Sequence, residues 1–383
     1  MQLPPTTLTP QELELRAEVR AFLADRLPPE VRVGLGMGGA HDPEFSRALG
    51  AAGLLGMALP PEYGGRGGTA VERFIVTEEL LAAQAPVAAH WVAERQSGPN
   101  ILKYGTPEQK ERFLPAIARG ECFFSIGMSE PDAGSDLASV RTKADKVEGG
   151  WRINGTKVWT THAHNNHFFA VLCRTSPVAD DKHQGLSQLL VDLHADGVRI
   201  SPILTMDGVA EFCEVALEDV FVPDSMVLGE IGSGWAQVTS ELSFERAGPD
   251  RWLSPWGLIT GLMSVLGPNP QPADAAAIGR MVARLRVVRS MSLAVARMID
   301  TGGAPSLQAS LTKDIGTVYE QDVVETVRSL LDRELDRADA SGLNDLLVRA
   351  VLAGPTWTLR GGTTEILRSV VARGLRPKGA TGR

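Results

Sequence analysis

Two short segments carry side chains suited to holding a large polar ligand. The first follows Met128 and reads Ser129-Glu130-Pro131-Asp132-Ala133-Gly134-Ser135-Asp136; the second is Trp159-Thr160-Thr161, at the end of a strand-like run. Ser129 offers a hydroxyl, and Ala133-Gly134-Ser135 is a small-residue turn where backbone N–H groups can approach a phosphate closely. Trp159 brings a flat ring and Thr161 a second hydroxyl. Together they suit an extended ligand with a planar, hydrogen-bonding ring and two phosphates. Two other patterns fail on context. Gly34-Leu35-Gly36-Met37-Gly38-Gly39 satisfies G-x-G-x-x-G, but it follows Pro28-Pro29 and runs into His41-Asp42-Pro43. A dinucleotide fingerprint follows a buried strand and opens a helix, so a loop is expected here. His162 and His164 can share a strand face, yet no carboxylate or thiolate accompanies them and no metal site is expected.

The elements that must position these residues follow from pattern. Thr9 caps a first helix carrying Leu13, Val19 and Leu23, stopped by Pro28-Pro29. An apolar run from Phe74 to Ala89 is broken at Pro86, and Thr106-Pro107-Glu108-Gln109 is a helix-start signal. Near Cys122 the character changes. Trp151 to Thr161 alternates around Asn154-Gly155, a hairpin-turn dipeptide, and His167–Arg174, Leu186–Leu193 and Glu214–Val222 read as strands. Helical periodicity returns at Trp235. Ile278, Met281, Val282, Leu285 and Val288 share a face that ends at Gly302-Gly303, and Leu307, Leu311, Ile315 and Val318 repeat the pattern. Leu343–Ala353 and Thr364–Arg373 are shorter helices. Helices, then strands, then helices predict an α-domain, a β-domain and a helical bundle.

Composition bounds the function. At 383 residues two or three domains are expected. With 43% hydrophobic and 22% charged residues the chain reads as soluble and globular, and a net charge of -8 excludes a general nucleic-acid binder. Cys122, Cys173 and Cys213 form an odd set without metal-ligand spacing, so a reduced, cytoplasmic protein is expected. Neither a signal core nor a membrane span is expected.

The block Ile126–Asp136 with Trp159–Thr161 closely resembles the flavin-binding signature of the acyl-CoA dehydrogenase family. Leu59-Pro60-Pro61-Glu62-Tyr63-Gly64-Gly65 looks like a motif of that family's N-terminal domain, and Val220-Phe221-Val222-Pro223 with Gly229, Gly234 and Trp235 matches the exit from its β-domain. The resemblance covers nearly the whole chain. It implies an α+β fold: an N-terminal all-α domain over 1–120, a middle β-barrel or sandwich domain over 121–230 and a C-terminal helical bundle over 231–383. It implies FAD, contacted by Ile126, Met128, Ser129, Gly134 and Ser135, by Trp159, Thr160 and Thr161, and by Thr363 and Glu365. In that scheme Ser129 bonds the ring, Ser135 lies near pyrophosphate or substrate, Trp159 lies against the flavin and Thr161 meets its N5 edge. The implied reaction, as in fatty acid β-oxidation, is α,β-desaturation of an acyl thioester. A carboxylate takes the α-proton, the β-hydrogen leaves as hydride to N5, and the carbonyl oxygen must be stabilised as enolate character develops. The implied partners are an acyl-CoA or a carrier-bound acyl group, an electron-transfer flavoprotein, and further subunits in a dimer or tetramer.

The chain departs from the family at the base. Many members carry the carboxylate immediately before a Gly-Thr near the C-terminus; here the segment reads Leu359-Arg360-Gly361-Gly362-Thr363-Thr364-Glu365. Gly361 holds the glutamate's position, so the usual base is absent, although its N–H can still hold the thioester oxygen with Gly362 beside the substrate. A subset resembling isovaleryl-CoA and long-chain dehydrogenases places the base on the first long helix of the bundle. In Glu241-Leu242-Ser243-Phe244-Glu245-Arg246 that position is Glu245, with Ser243 and Arg246 falling to the substrate. Helical spacing agrees: Val238, Leu242 and Glu245 share a face, where desolvation would raise a carboxylate's pKa. Gly248-Pro249 predicts a kink and room for a branched or bulky acyl group. The family's Arg-x-x-Phe-Gly element, which reaches the neighbouring subunit's cofactor, is replaced by Leu266-Gly267-Pro268-Asn269-Pro270-Gln271-Pro272. Its Gln-x-x-Gly-Gly element is unrecognisable around Asp336–Asn344, leaving Arg333, Arg337 or Arg349 as substitutes. Homo-oligomeric FAD sharing and a heteromer with a homologous chain both stay open. So do a two-component flavin monooxygenase of the same fold and a non-catalytic half-site subunit.

Overall fold

The computed structural model describes residues 3–28, 35, 40–177, 180–331, 334–339 and 342–376, and the side chains of 240–245 lie outside that description. The glycine-rich 34–39 segment, except Leu35, and Arg333 also lie outside the described residues. In chain order the helices are α1 (Pro10–Arg26), α2 (Pro43–Ala51), α3 (Ala70–Ala82), α4 (Ala88–Val92), α5 (Gly98–Tyr104), α6 (Pro107–Ala118), α7 (Gly234–Glu245), α8 (Trp256–Leu266), α9 (Pro272–Asp300), α10 (Ser306–Leu331), α11 (Gly342–Trp357) and α12 (Thr364–Leu375). The strands are β1 (Phe124–Gly127), β2 (Lys143–Val147), β3 (Gly150–Thr161), β4 (Phe168–Arg174), β5 (Leu186–Asp192), β6 (Val198–Ile203), β7 (Phe212–Pro223) and β8 (Val227–Leu228). The fold is thus mixed α+β, with N-terminal helices, a middle sheet and C-terminal helices. No described helix is long and apolar enough to cross a membrane.

Two compact units emerge, and the first comprises Met1–Met37, Ala70–Ala85 and Ser243–Arg383. Thr9 starts α1 through a reciprocal capping box: Glu12 N–H donates to the Thr9 hydroxyl and Thr9 N–H to the Glu12 carboxylate, at 3.3 and 2.8 Å. The buried face of α1 is Leu15, Val19 and Leu23; Leu13, expected inside, is half exposed. Carboxylates at Glu78 and Glu79 on α3 collect Arg16 and Arg20 from α1 and Arg289 from α9. On α10 the expected stripe is displaced. Ile315 is exposed, while Ser310, Lys313, Thr317 and Glu320 are fully buried alongside Tyr319, Val323 and Val327. A mixed polar face therefore packs inward, which apolar periodicity cannot detect.

The second unit, Gly38–Thr69 and Pro86–Leu242, is built on one eight-stranded sheet in the order β6-β7-β3-β2-β4-β5-β8, with β1 added parallel to β4. Thr106 caps α6 with the expected capping box to Gln109. The rings of Phe113, Phe124 and Phe168 meet at 5.0–5.5 Å between centroids, tying α6 to β1 and β4. The Asn154-Gly155 dipeptide is not a hairpin. The turn between β2 and β3 is Glu148-Gly149, with Val147 paired to Gly150 and Gly149 left-handed at φ 71°. Asn154 instead sits mid-strand opposite an extra residue in β7, and its side-chain oxygen accepts the N–H of Asp219, itself left-handed at φ 53°.

Two histidines of this unit are buried and neutral. His90 on α4 is enclosed, with Nδ1 2.8 Å from the Ser46 hydroxyl; burial, aided by His41, pushes its pKa down to about 3. Both ring nitrogens of His162 are buried with no hydrogen-bond partner among the described residues, and burial with His41 and His164 nearby lowers it to about 4. An unfolded imidazole titrates near 6.5. Between that value and the folded ones the unfolded chain binds more protons, so the contribution is complete above about pH 6.5 and is lost as pH falls toward 4. Urea unfolding at pH 7.5 and 5.0 should show a marked stability loss at the lower pH that shrinks in His162→Gln. An identical loss in both proteins would contradict it.

Candidate active site

The C-terminal ends of β1 and β3 carry the first set of predicted residues. Along β3, Lys157 pairs with Val215 but Thr160 with Cys213, so Val158 and Trp159 together oppose Glu214 alone. The extra residue makes a bulge, and Trp159 within it is left-handed at φ 60°. A non-glycine residue in that region stores strain, which clusters at functional sites. The bulge turns Trp159 outward: the residue is 57% exposed, and its ring meets that of Phe212 edge-on at 6.0 Å between centroids. Thr160 is buried, its hydroxyl without a hydrogen-bond partner among the described residues, and Thr161 is half-buried, its carbonyl accepting the Ser125 hydroxyl at 2.8 Å. On β1, Ile126 is half-buried, as is Met128 just beyond the strand, while Gly127 leaves room for the Phe169 ring; a Cβ there would lie 2.1 Å from it. Val158 N–H donates to the Ser129 carbonyl at 2.9 Å, which joins the two predicted segments directly. Gly134 and Ser135 are exposed, with open space about Gly134.

A buried ion pair holds these strand ends together. The Lys157 ammonium, fully enclosed, lies 2.8 Å from the Glu130 carboxylate and donates also to the Met128 carbonyl at 3.1 Å. Glu130 accepts the N–H groups of Arg141 and Thr142 at 2.6 and 2.8 Å, and its own backbone exchanges hydrogen bonds with Ala133. Burial would raise the Glu130 carboxyl, but the Lys157 charge and these hydrogen bonds outweigh it and hold it below the usual range. Burial depresses Lys157 against the pull of Glu130. Neither residue was singled out from sequence. The available signal was a lysine on the inward phase of β3, shared with Trp151 and Ile153. Removing one partner of such a pair leaves an uncompensated buried charge, at about 3–5 kcal/mol. Lys157→Met should therefore destabilise strongly in urea unfolding, and adding Glu130→Gln should recover part of the loss. A Lys157→Met loss under about 1 kcal/mol would contradict this.

The second set belongs to the helical unit. Gly361 and Gly362 are both left-handed, at φ 67° and 95°. A Cβ on Gly361 would lie 2.9 Å from the guanidinium carbon of Arg251, which is buried and paired with Asp250 at 2.9 Å. The position that the resemblance assigns to a glutamate thus faces a buried arginine. The Gly361 N–H meets no acceptor among the described residues. Thr363 caps α12, accepting Ile366 N–H at 3.4 Å. Glu365 is exposed in the first turn, its carboxyl lowered by backbone hydrogen bonding at the helix start and by Thr363, which weakens it as a base. Arg246 is half-buried. Glu245 is the last residue of α7, and its side chain and that of Ser243 lie outside the described residues. The expected kink is absent: α7 ends at Glu245, Gly248 is extended, and Pro249 opens a separate 3-10 turn. Proline at a first helical position fits there without breaking a bond. Arg337 is exposed, and Arg349 pairs with Asp345 one turn away on α11.

Comparison with known proteins agrees along the chain. Family models described as acyl-CoA dehydrogenase N-terminal, middle and C-terminal domains match residues 9–121, 125–220 and 270–376. Acyl-CoA dehydrogenase FadE34 of Mycobacterium tuberculosis is 35% identical, over 97% of this chain and 51% of its own length, so the chain spans about half of that relative. Acyl-CoA dehydrogenase FadE29 of the same organism is 32% identical, over 95% of this chain and 96% of its own. Among solved structures, the Tcur3481-Tcur3483 steroid ACAD superposes with TM-score 0.88 at 32% identity, covering 98% of this chain and 100% of that one. The ChsE4-ChsE5 complex from Mycobacterium tuberculosis gives TM-score 0.84 at 31% identity, with the same coverage.

Proposed function

The chain belongs to the acyl-CoA dehydrogenase family of oxidoreductases, and from that premise we propose that it desaturates an acyl thioester at the α and β carbons, with Glu245 as base and FAD as cofactor. The observation that carries the flavin half is the Trp159 bulge, where strained backbone exposes a flat ring beside the Ser129 turn. Ile126, Met128, Ser129, Trp159, Thr160 and Thr161 would hold the ring system. Gly134 and Ser135 would take the phosphates, and Thr363 and Glu365 would add contacts from α12. FAD, when bound, supplies the hydride acceptor.

The chain's own part is to hold the thioester and remove a proton. The Gly361 and Gly362 N–H groups would receive the thioester oxygen as it gains negative charge, which acidifies the α-carbon. Gly361 has no side chain and faces Arg251, so the proton goes to a carboxylate elsewhere. Glu245 is that carboxylate, with Ser243 and Arg246 beside the substrate. The acyl group is bulky and polycyclic, a reading supported by the likeness to a steroid ACAD. The thioester is a CoA ester, and electrons leave to an electron-transfer flavoprotein. The altered Leu266–Pro272 segment and the likeness to two-chain relatives support a heteromer in which a homologous chain completes the distal FAD site. The domains are 1–120, 121–230 and 231–383, and the protein works in the cytoplasm. Anaerobic titration of the purified flavoprotein with a steroid-acyl-CoA, its native mass read from the same sample, tests this. Bleaching of the flavin absorbance in a two-chain assembly is expected. A flavin that stays oxidised with steroid, branched and straight-chain acyl-CoAs alike would overturn the reading.

A further inference from the structure

The buried polar face of α10 lies beneath the Gly361–Gly362 turn. Lys313 is fully enclosed, and its ammonium donates to two backbone carbonyls, Thr358 at 3.1 Å and Gly362 at 2.9 Å. The Thr358 carbonyl also accepts Thr364 N–H at 3.2 Å, so both ends of the turn meet at one point. A buried ammonium normally sits on a carboxylate, because its desolvation is expensive. Glu320, the fully buried carboxylate of the same face, instead accepts from Arg360 at 3.1 Å and from Ser254 N–H at 2.9 Å. Arg360 is held further by the Asp250 carbonyl and the Ser254 hydroxyl, at 2.7 and 2.6 Å. Asp314 pairs with Arg368 on α12 at 3.0 Å. Lys313 is thus left to the turn itself.

From this arrangement we propose that Lys313 is a positioning residue: it clamps the Thr358 and Gly362 carbonyls and so fixes the turn whose N–H groups receive the thioester oxygen. Lys313 fixes the peptide that opens the turn through the Thr358 carbonyl and the one that closes it through the Gly362 carbonyl, and the Gly361 and Gly362 N–H groups lie between these two held points. It also restrains two consecutive left-handed glycines, which alone would sample many conformations. The inference rests on the proposed function only for the identity of the ligand.

The clamp is sensitive to pH. Burial, then repulsion from Arg251 and Arg360, pushes Lys313 down to about 7, against the pull of Glu320 and Asp314. Glu365, at the start of α12, also faces it. Above that pH the amine loses its charge, and hydrogen bonds from neutral donors are weaker than charge-assisted ones. Small misplacement of a reacting group slows chemistry on the order of 10- to 100-fold.

Lys313→Met and Lys313→Gln in the flavin-loaded protein, mixed anaerobically with a steroid-acyl-CoA, test the clamp. The Met variant should lower the limiting rate of flavin reduction by about 10-fold or more, leave thioester Kd within about twofold, and lose the fall in rate above pH 7. Gln, which keeps N–H donors, should restore part of the rate. A Met variant with wild-type rate and pH profile overturns the proposal. Amide exchange of residues 358–364 in the unmodified protein gives a second reading that needs no variant and no substrate. Protection should fall between pH 6 and 8.5 beyond the intrinsic rise in exchange, and unchanged protection also overturns the clamp. If no thioester reduces the flavin of the unmodified protein, the proposed reaction fails, and the exchange result still decides the role of Lys313.

Discussion

The enclosed Glu130–Lys157 pair is the contact on which the ends of β1 and β3 depend. Its two charges hold three pieces of chain in register: the turn after Met128, the Arg141–Thr142 backbone that leads into β2, and β3 itself. Two residues beyond Lys157 the strand bulges and turns Trp159 outward, so the anchor and the exposed ring are set by one short stretch of β3. A buried ion pair is weak evidence for net stability, since desolvation offsets most of its attraction. What it supplies here is position. An apolar replacement would fill the space without fixing where the Met128 carbonyl and the Ser129 turn must lie.

The helical unit uses the same device with different acceptors. There too a fully buried lysine lies beneath a turn that carries site residues, and it donates to backbone carbonyls of that turn. The surrounding charges differ. Lys157 has a carboxylate of its own, whereas Lys313 shares its surroundings with two arginines and leaves Glu320 to Arg360. In the first arrangement the carboxylate of Glu130 pulls against the burial of Lys157; in the second, burial and the two arginines push Lys313 down to about 7. Arg251 belongs to this cluster and also faces the α-carbon of Gly361. A carboxylate side chain at Gly361 would have to displace a guanidinium that is already paired with Asp250.

Much of this was legible in sequence where local chemistry decides structure. The hydroxyl caps at Thr9 and Thr106 act as their Thr-Pro-Glu/Gln contexts predict, and the apolar runs at β4, β5 and β7 fold as strands. The motif residues Ile126, Met128, Ser129, Trp159 and Thr161 do gather at the adjoining ends of β1 and β3. The failures arise where tertiary partners override the local signal. Asn154-Gly155 has the composition of a hairpin turn, but the bulge at Asp219 uses the Asn154 side chain, and Gly155 makes room for Thr142. Apolar spacing on α10 pointed to Leu307, Leu311, Ile315 and Val318, because a lysine and a glutamate are not expected inside unless their partners are known. Gly248-Pro249 reads as a kink only if the helix continues through it, and α7 ends first.

In the proposed reaction the α-proton is taken at the end of α7 and not at the Gly361 turn. Exchange of the thioester's α-hydrogen in D2O measures that step alone. With a steroid-acyl-CoA and the flavin-loaded assembly, deuterium uptake at the α-carbon, read by mass spectrometry, should proceed with the unmodified chain and fall by about 100-fold or more in Glu245→Gln, in keeping with the weight of a general base. Equal uptake in both proteins would contradict the assignment and return the base to a residue outside α7.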